Sequence, residues 1–141
     1  DIVLANSVSD RHPDHGRGSQ LVSEACFLSG LLKIETTLNG KGQDKWRPNK
    51  VYHYIQDHYI KPDFVIDVSP FIDRKIESIL AYKTQFFNPN DKGPKTPISS
   101  KEFLEFLKGR WREYGRAINV EYAEGFTVER TMGIEDLTKL K

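Results

Sequence analysis

Asp1-Ile2-Val3-Leu4-Ala5-Asn6, then Ser7-Val8-Ser9-Asp10-Arg11-His12-Pro13-Asp14-His15-Gly16-Arg17-Gly18, then Ser19-Gln20-Leu21-Val22, is the stretch that decides the fold. The opening is a continuous apolar run, the pattern of a strand covered on both faces. Ser7 to Gly18 is rich in Ser, Asp, His, Pro and Gly, which is the composition of a loop. From Ser19 the period becomes helical. Leu21, Ala25, Leu28 and Leu32 recur at steps of four, three and four, with Val22, Cys26 and Ser29 beside them. Strand, polar loop and helix begin a β-α unit, and open α/β sheets place their ligands just past a strand's carboxyl end.

Working outward, the helix is expected over Ser19 to Leu38, stopped by Asn39-Gly40-Lys41-Gly42. Gly30 weakens a helix by about 1 kcal/mol relative to Ala, so a close packing contact is expected there. Lys50 to Gln56 alternates aromatic and β-branched residues and reads as a strand, and Phe64 to Val68 as a second. Ser69-Pro70 supplies a cap and a first-turn proline for a helix ending near Gln85 to Phe87. Ser99 with Glu102 forms a capping box for a helix reaching about Ile118, and Glu121 to Phe126 is extended. The order of elements predicts an α/β layer protein.

The chain has 141 residues, with 21 basic and 20 acidic side chains and a net charge of +1. That length suffices for one domain with a core. The near-neutral balance gives no reason to expect a nucleic-acid partner. No apolar run approaches the roughly 20 residues needed to span a bilayer, so no membrane partner is expected. Cys26 is the single cysteine and cannot form an internal disulfide, which fits a reducing compartment. The expected location is cytoplasmic. The apolar opening, without cap, linker or initiator methionine, leads us to expect that the domain begins upstream of Asp1.

Asp10 to His15 packs five ionisable side chains into six residues. Two imidazoles three apart, a carboxylate between them and an adjacent arginine are what a divalent-metal site draws on. A hydrolytic site also needs a group to stabilise developing negative charge and a proton donor for the leaving group. The same residues would equally make a hydrated turn, with Pro13 rigid and Asp14 in an Asx turn. The set is also incomplete, because catalytic zinc usually takes three protein ligands and a water.

Arg11-His12-Pro13-Asp14-His15-Gly16-Arg17, running into Leu21 to Gly30, resembles the second conserved block of the LmbE-like (PIG-L) zinc-dependent N-acetylglucosamine deacetylases, and within them the bacillithiol-biosynthesis subgroup. Pro62 to Val68, Lys75-Ile76-Glu77, Ala81 to Phe86 and Tyr122 to Phe126 agree with that subgroup. The resemblance implies a Rossmann-like three-layer α/β sandwich with a mostly parallel sheet, of which residues 1–141 would be the C-terminal portion. The family's first block, Ala-His-Pro-Asp-Asp-Glu, which supplies two metal ligands and the general base, does not occur in these residues. The missing ligands would then come from an upstream portion of the same domain.

Carried over residue by residue, the resemblance makes His15 the third protein ligand of a zinc ion, with Fe2+ or Mn2+ as alternatives. His12 becomes the protonated group that stabilises the oxyanion and protonates the departing amine. Asp14 holds His12 protonated and oriented. Arg11 either contacts substrate or pairs with Asp10 or Asp14. The implied substrate is a small sugar conjugate, N-acetylglucosaminyl malate in this subgroup, and symmetric homo-oligomers occur in the family. Two other classes stay open: a non-catalytic binding piece, and a different metallohydrolase on the same scaffold, such as an esterase or phosphoesterase.

Outside this block, His53 between Tyr52 and Tyr54 reads as a packed or partly exposed histidine rather than a ligand, and His58 as a loop residue, with lining of the cleft the minority alternative. Glu124 reads as a contact at the edge of the core, with substrate contact the alternative. Trp46 and Trp111 read as packing residues, and Cys26 as an inert small hydrophobe.

Overall fold

A computed structural model describes residues 1–140. The elements run β1 (Ile2–Ala5), α1 (Pro13–Leu28), β2 (Thr37–Leu38), β3 (Lys41–Gly42), β4 (Lys50–Tyr54), β5 (Phe64–Asp67), a 3-10 turn (Ser69–Phe71), α2 (Ile72–Leu80), α3 (Lys101–Ala117), β6 (Ala123–Val128) and a last 3-10 turn (Leu137–Lys139). Four strands hydrogen bond in the order β1-β4-β6-β5, and β2 and β3 form a separate two-stranded hairpin. The chain divides into two compact units, Asp1–Phe64 with Phe126–Leu140, and Val65–Gly125.

In the first unit β1 runs parallel to β4, with Val3 opposite Val51 and Ala5 opposite His53. A parallel pair needs a crossover, and α1 lies in it. β4 pairs antiparallel with β6, with His53 opposite Thr127. The fold class is therefore mixed α/β, as expected, but the sheet is partly rather than mostly parallel. The core of this unit is Ala5, Ser7, Ser19, His53 and Phe126. Phe64 stacks on Phe126 at 5.3 Å and meets Tyr52 edge-on at 4.9 Å.

The first helix differs from expectation at both ends. It starts at Pro13, because His12 takes the N-cap in extended geometry and its Nδ1 accepts the Asp14 amide. It ends at Leu28 with Ser29 as C-cap, and Ser29 O then accepts the Trp46 amide. Asn39-Gly40, read as a helix stop, is instead a hairpin turn: Asn39 and Gly40 both have positive φ, at 52° and 76°, which a two-residue primed turn demands. The close contact expected at Gly30 is present, since a Cβ there would lie 2.9 Å from Arg47 Cβ.

The buried face of α1 differs too. Leu21 is 68% exposed and Leu28 is exposed, whereas Ser19 is buried and Val22, Ser23 and Cys26 are partly covered. The inward stripe carries Ser19 among Val22, Ser23 and Cys26 because His53 is buried behind it. His53 Nδ1 lies 2.8 Å from both Ser19 Oγ and Asn6 O, and Nε2 lies 3.0 Å from Glu129 Oε1. A buried imidazole must find partners, and here they come from α1, from the end of β1 and from the residue after β6. His53 is thus a packed histidine.

In the second unit Ser69 does not cap the following helix. Its Oγ accepts the Tyr122 amide at 2.9 Å and donates to Tyr122 O at 3.2 Å, and α2 begins three residues later. Ser100, one residue after the expected cap, receives the Phe103 amide at 3.1 Å and opens α3. That helix buries Leu107, Arg110, Trp111, Tyr114 and Gly115. Lys75 pairs with Glu124, and its Nζ sits 4.8 Å from the Trp111 ring centroid. Trp111 and Glu124 therefore take the packing and core-edge roles expected of them, while Trp46 is about half exposed.

Gly115 closes α3. Its carbonyl accepts the amides of Ile118 and Val120, and Asn119 takes a positive φ of 58°. A Cβ at Gly115 would meet Val120 O at 2.7 Å and Glu121 C at 2.9 Å. Those are backbone atoms held by the turn and cannot swing away. Gly115→Ala is expected to destabilise by about 1–3 kcal/mol, the usual range for overpacking. A urea unfolding curve checks this, and an unchanged midpoint would refute it.

Candidate active-site loop

The loop that follows β1 carries the expected cluster. Asp10 is its anchor, and its side chain is fully buried. Oδ1 accepts the backbone amides of Asp57 at 3.1 Å and His58 at 2.7 Å, from the loop after β4. Oδ2 lies 2.5 Å from Nδ1 of His15. Burial pushes the Asp10 carboxyl up, but hydrogen bonds from His15 and from the amides of His58 and Arg11 outweigh it and hold the group below the usual carboxylate range. Asp10 is then ionised at neutral pH and only accepts, so Nδ1 of His15 donates. A neutral His15 keeps its lone pair on Nε2.

His12 has the opposite arrangement. Its Nδ1 accepts the Asp14 amide at 3.3 Å as the N-cap of α1, so a neutral His12 carries its ring proton on Nε2. The two rings lie 5.5 Å apart, tilted by 35°. One imidazole thus offers a lone pair and its neighbour an N–H, each fixed by what its Nδ1 touches. A hydrolytic centre needs both kinds of group.

Asp14 lies beside His12 as expected, and Arg11 takes a different partner from those expected. The Asp14 carboxylate comes no nearer to His12 Nδ1 than 3.8 Å and accepts from Arg17 at 3.3 Å. Both the Asp14 amide, at 3.3 Å, and its carboxylate, at 3.8 Å, face His12 Nδ1. Arg11 pairs neither with Asp10 nor with Asp14: its Nε donates to Asp57 Oδ2 at 2.7 Å. His58 brings its amide to the cluster, while the residue as a whole is exposed.

The donor chemistry of His15 fits a metal ligand, because a ligating imidazole characteristically gives its other N–H to a carboxylate. No group of three His, Cys, Asp or Glu converges among the described residues. These residues therefore present one oriented imidazole lone pair, on His15 Nε2. A cavity of about 570 Å3 bounded by Cys26, Phe27, Arg47, Tyr52, Phe64 and Met132 lies in the same unit, and none of His12, Asp14 or His15 lines it. Its wall mixes apolar side chains with Arg47, Lys50, Glu129 and Arg130, and no histidine lines it. Burial, with the Glu129 charge adding to it, pushes the Cys26 thiol up, in keeping with an unreactive cysteine. Among the described residues no helix is long and apolar enough to cross a membrane.

An imidazole pair on the β-α loop of an α/β fold is the arrangement these residues define. No protein-family model matches the chain. It is similar to the conserved protein TT1542 from Thermus thermophilus, with a TM-score of 0.74 and 30% identity over 95% of this chain. It is similar also to N,N'-diacetylchitobiose deacetylase from Pyrococcus horikoshii, solved with its inhibitor MPG, with a TM-score of 0.69 and 25% identity over 91% of this chain. The chain spans 54% and 45% of those two chains, about half their length.

Proposed function

We propose that this chain carries the acid-catalyst side of a zinc-dependent deacetylase of the LmbE-like type, in a Rossmann-like three-layer domain. The substrate class is an N-acetylglucosamine conjugate, with N-acetylglucosaminyl malate, the bacillithiol precursor, as the first candidate. The observation that supports this most is the pair of opposite imidazoles, with His15 held by Asp10 through Nδ1. The likeness to a deacetylase of known structure supports the reaction class.

His15 would hold the metal through Nε2, with the remaining ligands and the general base contributed by the portion of the domain preceding this chain. Zinc, when bound, lowers the pKa of a water to about 7; Fe2+ or Mn2+ would suit similar ligands. His12 has the work of a second group. Its Nε2–H would stabilise the negative charge that develops on the acetyl oxygen. Protonated also on Nδ1, which would then turn from the Asp14 amide to the Asp14 carboxylate, it would deliver the Nε2 proton to the departing amine. An amine is a poor leaving group, so this transfer is needed. Arg11, braced by Asp57, would meet the malate carboxylates, for which a guanidinium is suited.

Acetate release is the direct test. The complete protein should release acetate from N-acetylglucosaminyl malate faster than it hydrolyses ester or phosphoester controls. Faster turnover of either control would favour a different metallohydrolase.

A further inference from the structure

Asp10 takes no part in the chemistry proposed above, yet its side chain is wholly buried. Its two oxygens divide their work. Oδ1 holds the amides of Asp57 and His58, and Oδ2 holds Nδ1 of His15. These partners come from two segments of the chain, the loop after β4 and the first turn of α1.

We propose that Asp10 is the positioning residue of this site: it fixes the tautomer of His15 and ties that choice to the backbone of the loop after β4. The proposal rests on the reading of His15 as a metal ligand. A neutral imidazole has one proton for two nitrogens. With the proton on Nε2 the ring cannot ligate through that atom until the proton leaves. Asp10 works against that form by its geometry: Oδ1 is taken up by two backbone amides, and Oδ2, 2.5 Å from Nδ1, is left to accept the ring proton there. The two amides at Oδ1 keep the carboxylate from rotating away. Arg11, next in sequence, reaches the same loop through Asp57, so the brace is doubled.

The division of oxygens makes Asp10→Asn a discriminating variant. The carboxamide oxygen can stay beneath the amides of residues 57 and 58, which turns the NH2 toward His15. Two donors cannot share that contact, so His15 must move its proton to Nε2. Asp10→Ala removes both functions and serves as the structural reference.

Three readouts on the complete protein decide the matter: the 15N ring signals of His15 without metal, zinc affinity by competition with a chromophoric chelator, and the thermal unfolding midpoint. Asp10→Asn is expected to shift His15 to the Nε2–H form and to weaken zinc binding on the order of 10–100-fold, as loss of such a partner typically does. Its midpoint should stay close to wild type, while that of Asp10→Ala falls. Unchanged ring signals in Asp10→Asn would overturn the proposal whatever the zinc affinity, and so would zinc affinity within twofold of wild type. If His15→Ala leaves zinc affinity unchanged, the ligand reading fails. The ring signals then judge Asp10's hold on the tautomer by themselves.

Discussion

Replacing His15 with Ala is expected to remove metal and activity together. Catalytic zinc is held by three protein ligands and a water, and loss of one of the three leaves a site that cannot retain the ion at ordinary concentrations. Elemental analysis of the purified variant should show metal well below wild type, and acetate release should fall to near the uncatalysed level. Folding should survive. His15 is about one-third exposed, and its intramolecular partner is Asp10, whose Oδ1 keeps both amides without it. Full metal content with full turnover would remove His15 from the site.

His12→Ala should show the opposite signature, with metal retained and kcat lowered on the order of 10²–10⁴-fold, the usual contribution of a positioned acid. The structure adds a complication. His12 is also the N-cap of α1, and loss of a cap costs about 0.5–2 kcal/mol. His12→Asn separates the two functions. Asparagine is a strong N-cap, so the variant should recover the unfolding midpoint while kcat stays as low as in His12→Ala. Recovery of kcat along with the midpoint would mean that His12 acts through the helix and not on the substrate. Loss of metal in either variant would make His12 a ligand.

Periodicity located α1, β4, β5 and α3 because each element has its own local signal. It could not say which face of α1 turns inward. Leu21, Ala25 and Leu28 form the more apolar stripe, yet the stripe against the sheet is Ser19, Val22, Ser23 and Cys26. The reason is nonlocal: His53, buried in β4, needs Ser19. The same kind of contact displaced the cap of α2, where Ser69 spends its hydroxyl on Tyr122. Asn-Gly at positions 39 and 40 carries the local signature of a hairpin turn, which the positive φ angles of both residues confirm.

In the loop, His12 and His15 were visible because two imidazoles three apart are rare enough to notice. Asp10 was missed as their anchor. Its contact with His15 spans five residues, and the amides that fix it lie 47 and 48 residues away. The available signal was a carboxylate just ahead of the histidine pair, at the mouth of a strand. Asp14 drew the attention instead because it stands between the histidines in sequence. In space its carboxylate lies between Arg17 and His12.

The central claim is that His12 and His15 belong to a metal-dependent deacetylase. Acetate release from N-acetylglucosaminyl malate by the complete protein, measured before chelation, after chelation and after zinc is restored, tests it most directly. In the wild type, release should be lost on chelation and regained with zinc, and in His15→Ala it should not be regained. Release that survives chelation, or no release from the substrate at any metal concentration, would contradict it.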